Sequence, residues 1–181
     1  MAVLPTASTL RPVVAQAVAA IALGLLGASG VVKLIDPDPT TGAMGAAGLP
    51  RSRSLSRSLG LFEILTAIVA LSVGGAAVIA GAGLYASFAA FTSFALYKRL
   101  PIQSCGCFGR DDTPPTRLHL GYNVVACVAL LALAVLDVAP IDWSLSPVEL
   151  GLYLGFATIG VYASYLLMAR LPQLLELAHN P

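Results

Sequence analysis

Five apolar stretches, each long enough to cross the hydrocarbon layer of a membrane, constrain the fold of this 181-residue chain. A bilayer core about 30 Å thick is crossed by about 20 helical residues. Backbone N–H and C=O groups inside lipid must bond to each other, which helices achieve within one segment. The predicted helices cover residues 12–35, 59–80, 84–100, 118–138 and 148–171. The sequence therefore predicts an all-α, polytopic membrane helical bundle of about five helices, forming one membrane domain over residues 1–181.

The second and third predicted helices form one continuous apolar run of about 40 residues. A run of that length must fold back on itself to remain in the bilayer. Gly81 and Gly83 supply the backbone freedom that such a turn requires, so the turn is predicted there. Residues 36–58 and 101–117 are predicted to be loops.

Composition excludes several classes of protein. Hydrophobic residues make up 57% of the chain and charged residues only 10%, which excludes disorder and a coiled coil. A net charge of +1 provides no field to hold a polyanion, so the lipid bilayer is the expected partner and nucleic acid is not. The sequence contains no nucleotide, haem or flavin motif, and we expect no cofactor.

The distribution of cationic residues predicts which side of the membrane each loop faces. Nine of the ten lie on one side: Lys33, Arg51, Arg53, Arg57, Lys98, Arg99, Arg110, Arg117 and Arg170. Only Arg11 lies on the other side. The positive-inside rule then places the N-terminus outside and the 101–117 loop on the cytoplasmic side.

Cys105-Gly106-Cys107 is the sharpest local motif, and it follows directly after a predicted membrane helix. A bent Cys-Gly-Cys segment can bring two Cα atoms within disulfide range, and so small a ring is strained. Strained disulfides are oxidising and labile, and nearby Lys98, Arg99 and Arg110 favour a thiolate. These features favour a redox pair. A soft-metal site, with Asp111, Asp112 and His119 as the nearby further ligands, and a purely structural turn are the alternatives.

Four other residues are candidates for a supporting role. Lys33 and Glu63 lie at membrane depth on the same face, which indicates either a structural ion pair or a proton-handling role for Glu63 during thiol exchange. Cys127 is either a small core residue or a resolving thiol. His119 is either a membrane-interface residue or a base.

The Cys-Gly-Cys-Phe-Gly string at 105–109 resembles the MauE family of methylamine-utilisation membrane proteins, within the wider MauE/DoxX redox-associated group. The resemblance extends over about residues 15–170. Its further matches are Ser29-Gly30, Lys33-Leu34, Asp36-Pro37 and Glu63.

This resemblance implies a redox role for Cys105 and Cys107 in a bacterial plasma membrane, but not methylamine as a substrate. The family is implicated in maturing a disulfide-rich secreted dehydrogenase subunit beside a thioredoxin-like partner. The chain is thus a candidate component of a thiol–disulfide oxidoreductase; the alternative is a non-catalytic helical subunit that assembles a complex. Action on exported disulfides would require an outward-facing pair, whereas the cationic residues place Cys105 and Cys107 inside.

Overall fold

A computed structural model describes residues 7–107 and 113–170 of the chain, with side chains from residue 14. Within these residues there are six helices and no strand. They are α1 (Ala7–Ile35), α2 (Asp38–Ala46), α3 (Arg53–Ser72), α4 (Ala76–Lys98), α5 (Arg117–Leu136) and α6 (Pro147–Ala169). All except α2 are long and apolar enough to span a membrane. The prediction of an all-α bundle with about five membrane helices is confirmed.

The helices α1, α3, α4 and α5 form a ring in which each packs against two neighbours, while α6 packs against α1. The core between the four helices contains fully buried aliphatic side chains: Leu23, Leu26, Val78, Leu130 and Leu133. On α6, Val148, Phe156 and Ile159 are exposed, as expected for side chains that face lipid. The bundle therefore buries its interior among four helices and presents an apolar outer surface.

Helices α1 and α3 touch through their backbones where Gly30 meets Gly60. A Cβ atom built on Gly60 would lie 2.6 Å from the carbonyl oxygen of Gly30, and one built on Gly30 would lie 2.5 Å from that of Gly60. Small residues allow such an approach between membrane helices, whose association depends on close packing rather than on the hydrophobic effect. The crossing leaves no room for any larger residue at either position.

The turn between the second and third membrane helices differs from the prediction. It lies at Gly74 and Gly75, which both have positive φ, whereas Gly81 and Gly83 lie inside α4. The error arises at the start of α3, which begins at Arg53 instead of residue 59. About 20 helical residues cross the bilayer, so a helix that starts six residues earlier must also turn earlier.

The predicted loop 36–58 is also partly wrong, because it contains α2 and the first turns of α3. The Asp-Pro-Asp-Pro segment ends α1 as prolines do, but Pro37 is also the N-cap of α2 and Pro39 lies in its first turn. Proline is favoured in a first turn, since that N–H has no partner within the helix. The same segment thus ends one helix and starts the next.

A charged contact holds α2 against α3. The guanidinium of Arg53 donates to both carboxylate oxygens of Asp38, at 2.7 and 2.9 Å. The Ser56 hydroxyl also donates to the carbonyl of Pro37 at 3.4 Å. A bidentate arginine–carboxylate pair fixes orientation as well as distance. It keeps α2 against the end of the bundle where α4 ends and α5 begins.

We predict that Gly60→Ala destabilises the protein by about 1–3 kcal/mol, the range for overpacking a tight interface. The new methyl group would collide with the Gly30 carbonyl and with Cβ of Lys33 at 2.8 Å. Thermal unfolding of the detergent-purified protein measures the effect. Gly83→Ala is the matched control, because it also lies in a membrane helix but a Cβ there meets nothing within 4 Å. Equal stability of the two variants would contradict the close crossing.

Candidate functional site

The loop that carries Cys105 and Cys107 folds back onto the end of the bundle. It starts after α4, whose last turn closes at Arg99 in the left-handed conformation. Ile102 is then buried in a cluster with Ala43 of α2 and Ala95 of α4. This contact anchors the loop on the side of α2 before the cysteines begin.

Two hydrogen bonds attach the same loop to the far side of the bundle. The N–H of Cys105 donates to the carbonyl of Thr113 at 2.9 Å. The hydroxyl of Thr113 in turn donates to the carbonyl of Met168, in the last turn of α6, at 3.1 Å. The position of Cys105 therefore depends on α6 as well as on its own loop.

Gly106 fits against the first turn of α2. Its φ is +80°, and its carbonyl accepts a hydrogen bond from the Thr40 hydroxyl at 2.7 Å. A Cβ atom built on Gly106 would lie 2.7 Å from Cα of Thr40. Both the backbone conformation and the close approach require glycine at this position. This residue fixes the bend that turns the two cysteine side chains toward each other.

The two thiol sulfurs, of Cys105 and Cys107, are 3.8 Å apart and are not bonded. A disulfide bond is about 2.0 Å long, so the thiols are in contact and side-chain rotation can bring them closer. Cys105 is 8% exposed, whereas Cys107 is only partly buried. The pair thus has a buried member and a more accessible one.

Cys107 lines a narrow cavity that enters the bundle. About 20 Å³ of this cavity is open to the centre of a water molecule, which gives room for about one water. Its walls come from α1, α4, α5, α6 and the loop: Leu25, Leu26, Ser29, Tyr85, Phe88, Cys107, His119, Tyr122, Asn123 and Met168. Cys107 therefore faces hydroxyl, imidazole and amide groups as well as hydrocarbon.

His119 lies in this wall and is 2% exposed, in the first turn of α5. Its Nδ1 atom accepts from the Thr116 N–H at 3.3 Å and lies 2.8 Å from the Thr116 hydroxyl oxygen. With Nδ1 accepting, the neutral ring carries its proton on Nε2. The ring is thus oriented by the capping box that begins α5.

Lys33 and Glu63 form a fully buried ion pair beside the Gly30–Gly60 crossing. Nζ of Lys33 is 3.0 Å from Oε2 of Glu63 and donates to the Ser29 hydroxyl at 2.6 Å. Oε1 of Glu63 has no hydrogen-bond partner within the described residues. Removing one member of a buried pair generally costs about 3–5 kcal/mol, because the other charge is left uncompensated. The expected ion pair is present, but one carboxylate oxygen is unsatisfied.

The ion pair adjoins the cavity that Cys107 lines. Ser29 belongs to the cavity wall and also accepts the hydrogen bond from Lys33. Phe88 belongs to the wall as well, and its ring centroid lies 5.7 Å from Nζ of Lys33. The structure thus connects two features that are about 40 residues or more apart in sequence: the cysteine loop and the buried charges.

Cys127 is not part of this cavity. It lies deeper in α5, partly buried, and packs against the main core. Asp111 and Asp112, considered above as metal ligands, lie outside the described residues. Within the described ranges, no group of three or more His, Cys, Asp or Glu side chains is close enough to hold a metal ion.

Several residues of the site were not found from the sequence. Thr40 and Thr113 hold the cysteine loop, and Tyr122 and Asn123 line its cavity. The four-residue spacing from His119 to Asn123 could have indicated one polar helix face. No sequence signal identifies Thr40, because its role depends on α2, which lies within the predicted loop 36–58.

Taken together, five apolar spans and a buried end carrying paired thiols define a multi-pass membrane protein with a candidate thiol site. The family model for Methylamine utilisation protein MauE matches residues 11–140. This chain belongs to the MauE family, which confirms the resemblance seen in its cysteine motif. No curated protein and no solved structure was found that matches the chain.

We predict that Gly106→Ala destabilises the cysteine loop more than Gly48→Ala does. Both glycines have a φ of +80°, so both variants carry the cost of about 1–2 kcal/mol for an L-residue in the left-handed region. Only at Gly106 does the new Cβ also meet the backbone of Thr40; at Gly48 it meets nothing within 4 Å.

Limited proteolysis of the 101–117 loop, combined with thermal unfolding, measures the difference between these variants. The loop of Gly106→Ala should be cleaved faster than that of Gly48→Ala. Equal cleavage would show that the contact between Gly106 and Thr40 does not hold the loop.

Proposed function

We propose that this protein is the membrane component of a thiol–disulfide exchange system in a bacterial plasma membrane, and that Cys105 and Cys107 exchange with a thioredoxin-like partner. The observation that carries the proposal is the contact of the two sulfurs, 3.8 Å apart, on a loop held from two sides. A structural turn would not require two thiols in contact. Membership of the MauE family is consistent with this role.

The exposure of the two thiols supports different roles for them. Cys107 is the more accessible and lines the cavity, so its thiolate attacks one sulfur of the partner's disulfide. The partner's S–S bond breaks, and a mixed disulfide with Cys107 forms. Cys105 then attacks the Cys107 sulfur and releases the partner as a dithiol. Two electrons pass to the partner, and the two thiol protons end on its sulfurs.

We predict that Cys105→Ser accumulates the mixed disulfide, because it removes the thiol that resolves it. Cys107→Ser should accumulate little, since it removes the attacking thiol. Both are made in a Cys127→Ser background, and the adduct is detected as a reductant-sensitive band on a non-reducing gel, then identified by mass spectrometry. Cys127→Ser alone is the matched control and should show only the transient adduct of the parent protein.

The same experiment weighs the alternative of a non-catalytic helical subunit. In that case neither variant traps an adduct, and the thiols of isolated membranes do not cycle with added reductant and oxidant. A stronger adduct in Cys107→Ser than in Cys105→Ser would reverse the proposed order of attack.

The distribution of charge supports a cytoplasmic location for the cysteine loop. The end of the bundle that carries the loop also carries most of the cations: Lys33, Arg51, Arg53, Arg57, Lys98, Arg99, Arg117 and Arg170. The opposite end carries Asp137, Asp142 and Glu149. The bias of Lys and Arg orients membrane proteins with the cationic loops inside. Electrons would then be exchanged with a cytoplasmic partner.

We predict that a membrane-impermeant maleimide labels Cys105 and Cys107 only after cells are lysed. The cells are reduced first, and the Cys127→Ser background limits labelling to the pair. A control variant with a single cysteine at Ser144, in the loop at the opposite end, should label in intact cells. Labelling of Cys105 and Cys107 without lysis would place the redox pair outside, where it could act on exported proteins.

A further inference from the structure

We infer that Glu63, acting through Lys33 and Ser29, accepts the thiol proton of Cys107 across the shared cavity. This inference rests on the proposed function and adds a positioning and proton-accepting role to the buried ion pair. Its starting point is a series of groups from the thiol to the carboxylate, of which the first two share a cavity and the others are in contact. Cys107 and Ser29 line one cavity, Ser29 accepts from Lys33 at 2.6 Å, and Lys33 contacts Glu63 at 3.0 Å.

The unsatisfied oxygen of Glu63 is the second observation. Oε1 is buried without a hydrogen-bond partner in the described part of the chain, although Oε2 is bound by Lys33. Burying a carboxylate oxygen without a hydrogen bond costs free energy, mainly because the group is charged. Protonation of the carboxylate removes that charge. An ion pair that only stabilises the structure gains no stability from an unsatisfied carboxylate oxygen. A proton acceptor does benefit, because that oxygen is available to take a proton.

The transfer leaves the total charge of the cluster unchanged. Before it, Cys107 is a thiol, Lys33 an ammonium and Glu63 a carboxylate; afterwards, Cys107 is a thiolate, Lys33 an ammonium and Glu63 a carboxylic acid. The negative charge has moved from the carboxylate to the sulfur, and Lys33 is an ammonium both before and after the transfer. Because a new net charge at membrane depth is expensive, a neutral exchange is the accessible route.

The contacts of the structure allow the proton to move after one rotation of a hydroxyl group. Lys33 gives a proton to Oε2 of Glu63, and the Ser29 hydroxyl, which accepts from Lys33 in the structure, then rotates and gives its proton to the neutral amine. Ser29 takes the proton of Cys107 across the cavity, where there is room for about one water to bridge them. When the partner's disulfide has been reduced, the leaving thiolate takes the proton back by the reverse path.

Other titratable groups face the same cavity. They are His119 and Tyr122 of α5 and Tyr85 of α4. Tyr85 donates its proton to the carbonyl of Ala22 at 2.6 Å, so its hydroxyl is already committed as a donor. His119 accepts the Thr116 N–H at Nδ1, which leaves the proton of the neutral ring on Nε2. The Nδ1 lone pair of His119 is occupied by the Thr116 N–H, and the Tyr85 hydroxyl donates to Ala22, so neither group is oriented to remove the proton of Cys107.

The test measures the intrinsic reactivity of Cys107 and needs no partner protein. In a Cys105→Ser, Cys127→Ser background, Cys107 is the only cysteine, and its alkylation by iodoacetamide reports its thiolate. Glu63→Gln alone would strand the Lys33 charge and risk misfolding. The informative variant is therefore the double change Lys33→Gln and Glu63→Gln, which removes both charges and keeps polar side chains of similar size.

We expect the double variant to react about tenfold more slowly near pH 7, where a thiol depends on a proton acceptor. Near pH 10 hydroxide replaces the acceptor, and the two proteins should react at similar rates. Glu149→Gln, which removes a carboxylate at the opposite end of the bundle, is the matched control. Its Cys107 should react at the same rate as that of the Cys105→Ser, Cys127→Ser protein at both pH values.

Equal rates near pH 7 would overturn the inference. A rate that falls equally at both pH values would also overturn it, since that result indicates altered access to Cys107 and not loss of a proton acceptor. Either result leaves the mixed-disulfide experiment unaffected, because trapping depends on the two cysteines and the partner. Conversely, the double variant could react more slowly near pH 7 only, as expected, while no partner is trapped by Cys105→Ser. That result would contradict the exchange function but not the proton transfer.

Discussion

The backbone contact of α1 with α3 at Gly30 and Gly60 is the constraint on which the rest of the structure depends. It brings Lys33 and Glu63 to 3.0 Å from each other with their side chains only 3% and 0% exposed. With larger residues at the crossing, the helices would separate and the two charges would lose their contact. Desolvation of an ion pair is compensated only when its geometry is close. Two glycines therefore determine whether these charges can be buried at all.

The cysteine loop is positioned by contacts distant in sequence. Thr40 of α2 holds Gly106, and Thr113 links Cys105 to the end of α6. Because α2 is itself held by the Arg53–Asp38 pair, the geometry of the thiols depends on α2, α3, α4 and α6 together. A loop held this way keeps its two sulfurs 3.8 Å apart without a covalent bond.

The sequence was sufficient for the features that depend on local pattern. Apolar length gave the number of membrane helices, and the spacing of Lys33 and Glu63 at facing helix ends indicated their pairing. The sequence was insufficient where the same residue is compatible with two different local structures. The prolines after Ile35 both end α1 and begin α2, and the glycines at 74, 75, 81 and 83 are equally permissive of a turn. Only the register of α3 in the membrane distinguishes the two turns, and this depends on where its first residue lies.

The proximity of the ion pair to the thiols follows from the way the helices end. Helix α1 carries Ser29 and Lys33 in its last two turns, and α3 carries Glu63 three turns from its start. The same end of the bundle contains the start of α5 with His119 and the loop with Cys107. Within the described residues, Lys33, Glu63 and His119, which line the cavity or adjoin it, thus lie in the helical turns nearest one end of the bundle. Cys107 is thus partly accessible near this end of the bundle, while Lys33 and Glu63 are buried. The structure therefore keeps the ion pair out of solvent although the pair adjoins the cavity that Cys107 lines.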